Sequence, residues 1–244
     1  LAEEAAGKRD AMEGCVSHAI LHFDGTCNGI QHLAMLSKST EMARAVNIIG
    51  DLTTRRDIYQ QVADKAIEIS EGTAQQVLRE HGRKLCKQPT MTVPYGAKRQ
   101  DRQVLSTLNE LRVPDADALT PCVTKAIKKA ITEVLVGLDE LDGALRAFAK
   151  SCVDMDLDPT WTTPAGFVVT QQYREAVFKT RKVYGNKKAK LPDGNQDGPI
   201  LGSKNLSGIR PNVIHSLDAC HLQLTVDAAD FDLVTIPDSF GVQA

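Results

Sequence analysis

Helical periodicity through the middle of the chain is the feature that most constrains its fold. Apolar residues recur every three or four positions over residues 47–80 and again over about 120–152, which is the spacing of one buried helix face. We therefore predict a mainly helical interior, interrupted in the first stretch at Gly72 and Gly82. The predicted inward positions are Ile48, Ile58, Val62, Ala66, Ile69, Val123, Ile127, Ile131, Val134, Leu138, Leu141 and Leu145.

Short β patterns lie on either side of these helices. The run HAILHF ends at Asp24 and gives way to helical spacing, which predicts a buried strand, a turn at Asp24-Gly25 and a helix. WTTPAGFVVTQQY predicts a hairpin, and the Gly- and Lys-rich residues 179–205 predict a long exposed loop or a loose hairpin. A helix is expected to restart near Asn212 to Ser216, and FDLVTIPDSFGV predicts a strand, a tight turn and a strand. The predicted class is α+β, mainly helical, with a small antiparallel sheet.

Composition excludes several classes of protein. The 244 residues are 42% hydrophobic and 25% charged, as in soluble globular proteins, and no apolar run approaches the ~20 residues of a membrane span. The formal net charge of -2 argues against a protein that coats nucleic acid indiscriminately. Six cysteines without a C-x-x-C pair suggest neither a zinc site nor a disulfide framework, and a reducing compartment is expected. Because the chain begins at Leu1 and ends inside a predicted strand, we expect a fragment.

Three places carry chemistry. Asp24 and Asp238 each follow an apolar strand, and two carboxylates held this way suit Mg²⁺ bound together with substrate phosphates, although each is also an ordinary turn residue. The third place is a set of side chains four residues apart, which on a helix form one stripe. Its two cations and one aromatic ring suit a ligand with phosphates at one end and a flat or sugar-like group at the other. The alternative interpretation is a solvated helix face with a half-buried tyrosine. The stripe consists of Arg83, Lys87, Met91 and Tyr95.

In order and spacing, three segments resemble the polymerase motifs of the single-subunit, bacteriophage-type RNA polymerases, which are also the mitochondrial and chloroplast type. These segments are FDGTCNGIQHLAML, RKLCKQPTMTVPYGAK and RPNVIHSLDACHL with IPDSFG, and the resemblance covers residues 22–244. It implies a right-hand polymerase reduced to palm and fingers. Residues 1–40 would form the palm with the first catalytic strand and helix, 41–215 the fingers with a basic hairpin at about 173–205, and 216–244 a truncated palm.

The resemblance also implies a role for individual residues at the metal and nucleotide. Asp24 and Asp238 would hold two catalytic Mg²⁺ ions with help from the Gly25 carbonyl. Arg83 and Lys87 would hold the triphosphate of the incoming nucleotide, and Lys87 would donate charge to the leaving group.

Further residues would recognise the sugar, the base pair and the promoter. Tyr95, with Met91 on the same stripe, would lie near the ribose and the template base, and His215 would face the minor groove of the new base pair. Gly29 stands where polymerase I-type DNA polymerases carry a bulky glutamate, so we expect room for a ribose. Tyr59 matches a family position near the active site. Three lysines would contact phosphates in the promoter-reading hairpin: Lys187, Lys188 and Lys190.

The implied partners are a DNA template and promoter, ribonucleoside triphosphates and the RNA product, with no membrane and a monomeric state. The expected location is the cytoplasm of a phage-infected host, or alternatively a mitochondrion or chloroplast. The sequence departs from the family pattern at Pro237, where a histidine is usual, and at Pro89, which with Pro94 should kink the fingers helix. The isolated fragment is expected to be inactive. Two alternatives stay open: a polymerase I-type DNA polymerase and a catalytically inactive nucleic-acid-binding relative.

Overall fold

A computed structural model describes residues 19–51, 53–97, 99–185, 187–236 and 239–243, and for residues 194–197 it describes the main chain alone. Its contacts divide the chain into two compact units. One unit contains the residues up to Gly25 together with those from His221 onward, and the other contains Thr26–Cys220. Within the described ranges, no helix combines the length and apolar character needed to cross a membrane.

The first unit contains a three-stranded antiparallel sheet. Strand β1 (Ile20–Asp24) pairs with β7 (Ser239–Gln243), which also pairs with β6 (Val234–Ile236). The predicted strand ending at Asp24 and the predicted terminal strand pair are thus confirmed. The expected burial of β1 is wrong, because all five of its residues are exposed. The described part of this unit, with three short strands and the last turns of one helix, offers too few side chains to cover both faces of the sheet.

The second unit is mainly helical, as predicted. Its helices up to the middle of the chain are α1 (Asn28–Ser37), α2 (Thr40–Ala45), α3 (Ile58–Ile69), α4 (Gly72–Thr92) and α5 (Gln100–Glu110). They are followed by α6 (Ala116–Val134), α7 (Leu138–Asp154) and α8 (Gly202–Ala228), the last of which continues into the first unit. Helix α3 packs against α4 and α6, and α5 packs against the same two helices.

The apolar periodicity located the core of this unit. Ile58, Val62, Val123 and Ile127 are fully buried, as predicted from their spacing. Gly72 begins α4 as expected, but Gly82 lies inside that helix. A Cβ on Gly82 would lie 3.1 Å from the Ala63 Cβ, so this glycine allows α3 and α4 to approach closely and does not end a helix.

Two other helix predictions need correction. The block predicted from about 120 to 152 is two helices, because the chain leaves helical geometry after Val134 and Gly137 adopts φ 91° before α7. The final helix begins at Gly202, ten residues before Asn212, and continues through Pro211. Its first turns are anchored by Asn205, which is fully buried and donates to the Tyr173 carbonyl at 3.1 Å. Tertiary contacts therefore outweigh the local signal of a proline.

Both predicted hairpins are present. Strands β2 (Thr160–Thr162) and β3 (Val168–Thr170) flank the Pro-Ala-Gly turn. Strands β4 (Arg174–Lys182) and β5 (Lys188–Ile200) pair antiparallel with irregular register near their open end. The hairpin alternative is therefore correct for residues 179–200, whereas residues 202–205 form the start of α8.

Candidate active site

Asp24 is the last residue of β1, and its carboxylate lies at an exposed strand end. The antiparallel register places Asp24 opposite Ser239, which follows Asp238 in the sequence. Pro237 and Asp238 lie outside the described residues. The Asp24 carboxylate and the Gly25 carbonyl are hard oxygen donors of the kind that Mg²⁺ prefers, so the chemistry of these groups fits the ion. Among the described residues no three His, Cys, Asp or Glu side chains come together as a metal site, and the pairing of Asp24 with Asp238 stays a prediction.

The predicted basic stripe lies on the exposed face of α4. Arg83, Lys87 and Met91 are all exposed and are spaced one turn apart, as expected. The inclusion of Tyr95 in this stripe is wrong, because α4 ends at Thr92 and Tyr95 lies in the following turn. Gly96 closes that turn with φ 73° and donates its amide to the Val93 carbonyl at 2.9 Å. Tyr95 is therefore positioned by this turn and not by the helical period of α4.

Pro89 and Pro94 differ in their effect on this helix. Pro89 is buried within α4, and the helix continues through it for three residues. The Thr92 hydroxyl donates to the Gln88 carbonyl at 3.0 Å near the helix end. Pro94 lies beyond the helix, so the expectation that it contributes to a kink in the helix is wrong.

Arg83 is held by residues of another helix. Its Nε donates to Asp57 Oδ2 at 2.7 Å, and its guanidinium lies 5.8 Å from the centre of the Tyr59 ring. Asp57 also caps α3 by accepting from the amides of Tyr59 and Gln60. Partial burial raises the pKa of Asp57, but the hydrogen bonds and the charge of Arg83 outweigh that effect and lower it overall. Because the contact with Asp57 uses Nε, the terminal nitrogens of Arg83 keep donors for an anion.

Tyr95 and His215 lie together in one polar cluster. Their rings stack with centroids 4.8 Å apart and an interplanar angle of 24°. The Tyr95 hydroxyl donates to Asp218 Oδ2 at 3.3 Å, and His215 Nδ1 lies 3.9 Å from the same oxygen. The other oxygen of Asp218 lies 2.9 Å from His32 Nε2. The side chains of His32 and Asp218 are only 9% and 13% exposed, whereas that of His215 is 65% exposed. The His215 ring is therefore accessible to solvent, while the His32 and Asp218 side chains are largely shielded.

Gly29 contacts the same cluster. A Cβ built on it would lie 2.8 Å from the Pro94 Cβ and 3.0 Å from the Tyr95 hydroxyl. The space expected to be open for a ribose is therefore filled by Pro94 and Tyr95. The missing side chain instead lets α1 approach the turn after α4, which brings three of the predicted nucleotide-binding residues together.

The three lysines predicted to bind nucleic acid lie on the hairpin of β4 and β5. Lys187, Lys188 and Lys190 are exposed. Lys188 pairs with Lys182 in the register, and Lys190 lies two residues further along the same strand. Because alternate residues of a strand face the same side, Lys182, Lys188 and Lys190 form one positive row.

Sequence reasoning missed three residues of the site: His32, Asp57 and Asp218. His215 and Asp218 stand three positions apart, which places them on one face of α8 and was a usable signal. Asp57 precedes an apolar helical run and matches a helix cap, but its contact with Arg83 spans 26 residues. His32 sits among apolar core residues, and its sequence surroundings give no sign of a carboxylate partner.

Comparisons with known proteins agree with the resemblance of the motifs. A family model described as DNA-dependent RNA polymerase matches residues 3–244. The chain is 28% identical to DNA-directed RNA polymerase 1, mitochondrial, of Arabidopsis thaliana over 95% of its length and 26% of that protein. It is 29% identical to DNA-directed RNA polymerase 3B, chloroplastic, of Nicotiana tabacum, over 97% of the chain and 26% of the relative. It is 32% identical to the mitochondrial DNA-directed RNA polymerase of Mus musculus, over 86% of the chain and 18% of the relative. The chain thus spans about a quarter or less of the length of these relatives.

Proposed function

Because the chain belongs to the DNA-dependent RNA polymerase family, we propose that it takes part in DNA-templated addition of ribonucleotides to an RNA 3′ end. One observation carries the proposal. Gly29, Tyr95 and His215 are far apart in sequence and were assigned to one nucleotide site by resemblance, and all three meet around Asp218 and Pro94. The substrates would be ribonucleoside triphosphates, and the partners a DNA template, its promoter and the RNA product.

The Tyr95 hydroxyl would select the ribose sugar. A phenol has one proton to donate and can also accept. The Tyr95 hydroxyl donates to Asp218 Oδ2, and its oxygen would in addition accept from a ribose 2′-OH. A deoxyribose cannot make that hydrogen bond, and its loss would cost about 1–3 kcal/mol. His215 stacks on the Tyr95 ring and would hold it in place beside the new base pair.

The exposed face of α4 would bind the triphosphate. Arg83 and Lys87 stand one turn apart on that face, which suits two phosphates of one chain. Asp57 fixes the guanidinium of Arg83 through Nε, so its terminal nitrogens would be presented in a constant orientation. Lys87 would place its ammonium group beside the departing pyrophosphate and offset the charge that develops there.

Asp24, the Gly25 carbonyl and Asp238 would hold two Mg²⁺ ions. When bound, the ions would supply Lewis-acid stabilisation of the charge that develops during phosphoryl transfer. The contribution of this chain would be to present two carboxylates from the ends of paired strands, where the backbone limits their movement.

The remaining expectations follow from the same proposal. Residues 1–40 and 216–244 would belong to the palm and 41–215 to the fingers, with Lys187, Lys188 and Lys190 contacting promoter phosphates. The protein would act as a monomer. The mitochondrial and chloroplastic names of its relatives support an organelle over the cytoplasm of a phage-infected host.

A sugar competition tests the proposal. The complete protein would be given a primed DNA template and matched ribo- and deoxyribonucleotides with Mg²⁺, and the ratio of the two kcat/KM values would be measured. We expect the ribonucleotide to be preferred and Tyr95→Phe to reduce the preference by roughly 5- to 150-fold, the equivalent of 1–3 kcal/mol. Tyr184→Phe is the matched control, because the Tyr184 side chain is 100% exposed at the tip of the basic hairpin.

The possible failures point to the two alternatives. A wild-type preference for the deoxyribonucleotide would indicate a polymerase I-type DNA polymerase. Template binding without any incorporation, with Asp24 and Asp238 intact, would indicate an inactive nucleic-acid-binding relative.

A further inference from the structure

A small cavity in the second unit is lined by arginines that the proposed polymerase site does not use. Its volume is about 200 Å³, and its walls include Thr26, Arg44, Asn47, Arg55 and Arg56. Thr26 precedes α1, Arg44 lies in α2, and Arg55 and Arg56 belong to the segment that leads into α3. All three arginines are exposed, so a ligand can reach them from solvent.

Positive charge dominates this cavity. Three arginines and one acidic residue, Asp51, line it. Asp51 is engaged locally, since it accepts from the Thr53 amide at 2.8 Å and from the Thr53 hydroxyl at 2.7 Å. Across the part of the chain that the structure describes, Arg44, Arg55 and Arg56 form no ion pair with a carboxylate. Positive charges gathered around one cavity repel one another, and a bound anion would relieve this.

Asn47 holds together the two segments that form the walls of the cavity. It has a positive φ of 60°, and its Nδ2 donates to Thr26 Oγ1 at 3.3 Å and to the Arg56 carbonyl at 2.8 Å. Its Oδ1 accepts from the Arg56 amide at 2.8 Å. One side chain therefore ties the start of α1 to the segment before α3. Because these bonds use the main chain of Arg56, its guanidinium is not needed to hold the wall.

We propose that this cavity binds a phosphodiester group of a polynucleotide strand. Guanidinium forks match the oxygens of a phosphate and bind them bidentately. The cavity is smaller than the 300–1,000 Å³ typical of small-molecule pockets, so it fits a phosphate group and not a whole nucleotide. Its lining in the described chain includes no aromatic ring on which a base would stack. A phosphodiester of a passing strand meets these conditions, because its sugar and base remain outside.

Oligonucleotide binding tests the proposal without nucleotides or Mg²⁺, so its failure would leave the polymerase proposal standing. Fluorescence anisotropy would follow labelled 12-nucleotide RNA and DNA strands bound to the chain over a range of salt concentrations. The test variant is the double substitution Arg55→Gln with Arg56→Gln, and Arg44→Gln is measured separately. The charge-matched control is Arg79→Gln with Arg102→Gln, two exposed arginines on α4 and α5.

We expect the test variant to bind about ten-fold or more weakly at low salt, with a salt slope smaller by about 0.7–1 for each phosphate that is no longer neutralised. The control should stay close to the wild type. Weaker binding confined to RNA assigns the site to the product strand, and weaker binding confined to DNA assigns it to the template.

Two results would overturn the proposal. Equally weakened binding in the test and control variants would mean that only overall charge matters. If calorimetry shows that the test variant no longer binds inorganic phosphate or pyrophosphate while both oligonucleotides bind normally, the cavity is a site for a free anion. Circular dichroism of each variant, compared with the wild type, verifies that the helical fold is retained.

Discussion

The contact between Gly29 and the turn after α4 predicts that even one added methyl group will disturb the site. In Gly29→Ala the new Cβ would lie 2.8 Å from the Pro94 Cβ, against about 3.5–4.0 Å for two carbon atoms in normal contact. Pro94 is buried and its ring is rigid, so a rotamer change cannot relieve the overlap. The turn that carries Tyr95 must therefore move.

The expected energy follows from two opposing effects. Overpacking of this kind costs about 1–3 kcal/mol. Replacing glycine by alanine in a helix contributes about 1 kcal/mol in the other direction. We therefore expect a net decrease of roughly 0–2 kcal/mol in the free energy of unfolding, together with a reduced ribonucleotide preference. Gly29→Glu should reverse or abolish the ribonucleotide preference, because the longer side chain would displace Tyr95 and exclude the 2′-OH.

Urea denaturation of the chain measures the first quantity, and the sugar competition described above measures the second in the complete protein. Gly143→Ala is the matched control, because Gly143 lies inside α7 and a Cβ there would meet nothing within 4 Å. That control should be stabilised by about 0.4–1 kcal/mol. If Gly29→Ala is stabilised to the same extent and keeps full ribonucleotide preference, the close contact with Pro94 and Tyr95 has no functional role.

Three further predictions concern charged residues. In the complete protein, Asp238→Asn should preserve the fold, because the two side chains are nearly isosteric. It should nevertheless lower nucleotide incorporation by several orders of magnitude, and near-normal single-turnover rates would reject Asp238 as a metal ligand. Lys87→Ala should raise the KM for nucleotide far more than the Kd for template, whereas Lys84→Ala on the same helix should change neither constant. If Lys87→Ala changes both constants equally, Lys87 belongs to a general basic surface and does not bind the triphosphate. Burial raises the pKa of Asp57, but its hydrogen bonds with Arg83, Gln60 and Tyr59 and the charge of Arg83 lower it overall from 3.8. The stabilisation from Asp57 is therefore present above pH 3.8 and disappears as the pH falls further. Urea denaturation should therefore show wild type more stable than Asp57→Asn at about pH 7 and nearly equal to it near pH 2, and a constant difference would refute this linkage.

The parts of the fold that the sequence predicted are those that depend on neighbouring residues. The strand, turn and helix around Asp24, the hairpin at Trp161 and the buried faces of α3 and α6 follow from period-two and period-3.6 patterns, which are read within one segment. The burial of a strand or helix cannot be predicted in the same way, because it depends on which other elements pack against it. The apolar strand β1 has the pattern of a buried element, yet its residues are exposed, since the pattern says nothing about which layers cover it.

Several predictions that needed correction concern where a helix begins or ends, which depends on contacts with residues far away in the sequence. The helical spacing of Arg83, Lys87 and Met91 continues to Tyr95, and nothing in the period shows that α4 stops at Thr92. Likewise the sequence predicted a helix that restarts near Asn212, but α8 begins at Gly202 and its first turns contain the buried Asn205. In both cases the deciding contacts join segments far apart in the sequence, which a window of neighbouring residues cannot contain.

Asp218 links the assembly of this site to its proposed selectivity, because one carboxylate contacts all of its segments and also orders Tyr95. Its two oxygens contact His32 from α1, Tyr95 from the turn after α4, and His215 from its own helix. A buried carboxylate is tolerated only when such partners satisfy it, so the three segments stabilise the charge while the charge holds them together. The same bond that orders Tyr95 would also fix the orientation in which its hydroxyl meets a ribose 2′-OH. Any change that loosens the packing of α1 on this turn should therefore weaken discrimination between sugars before it removes catalysis, because Asp24, which would hold the metal ions, is carried by β1.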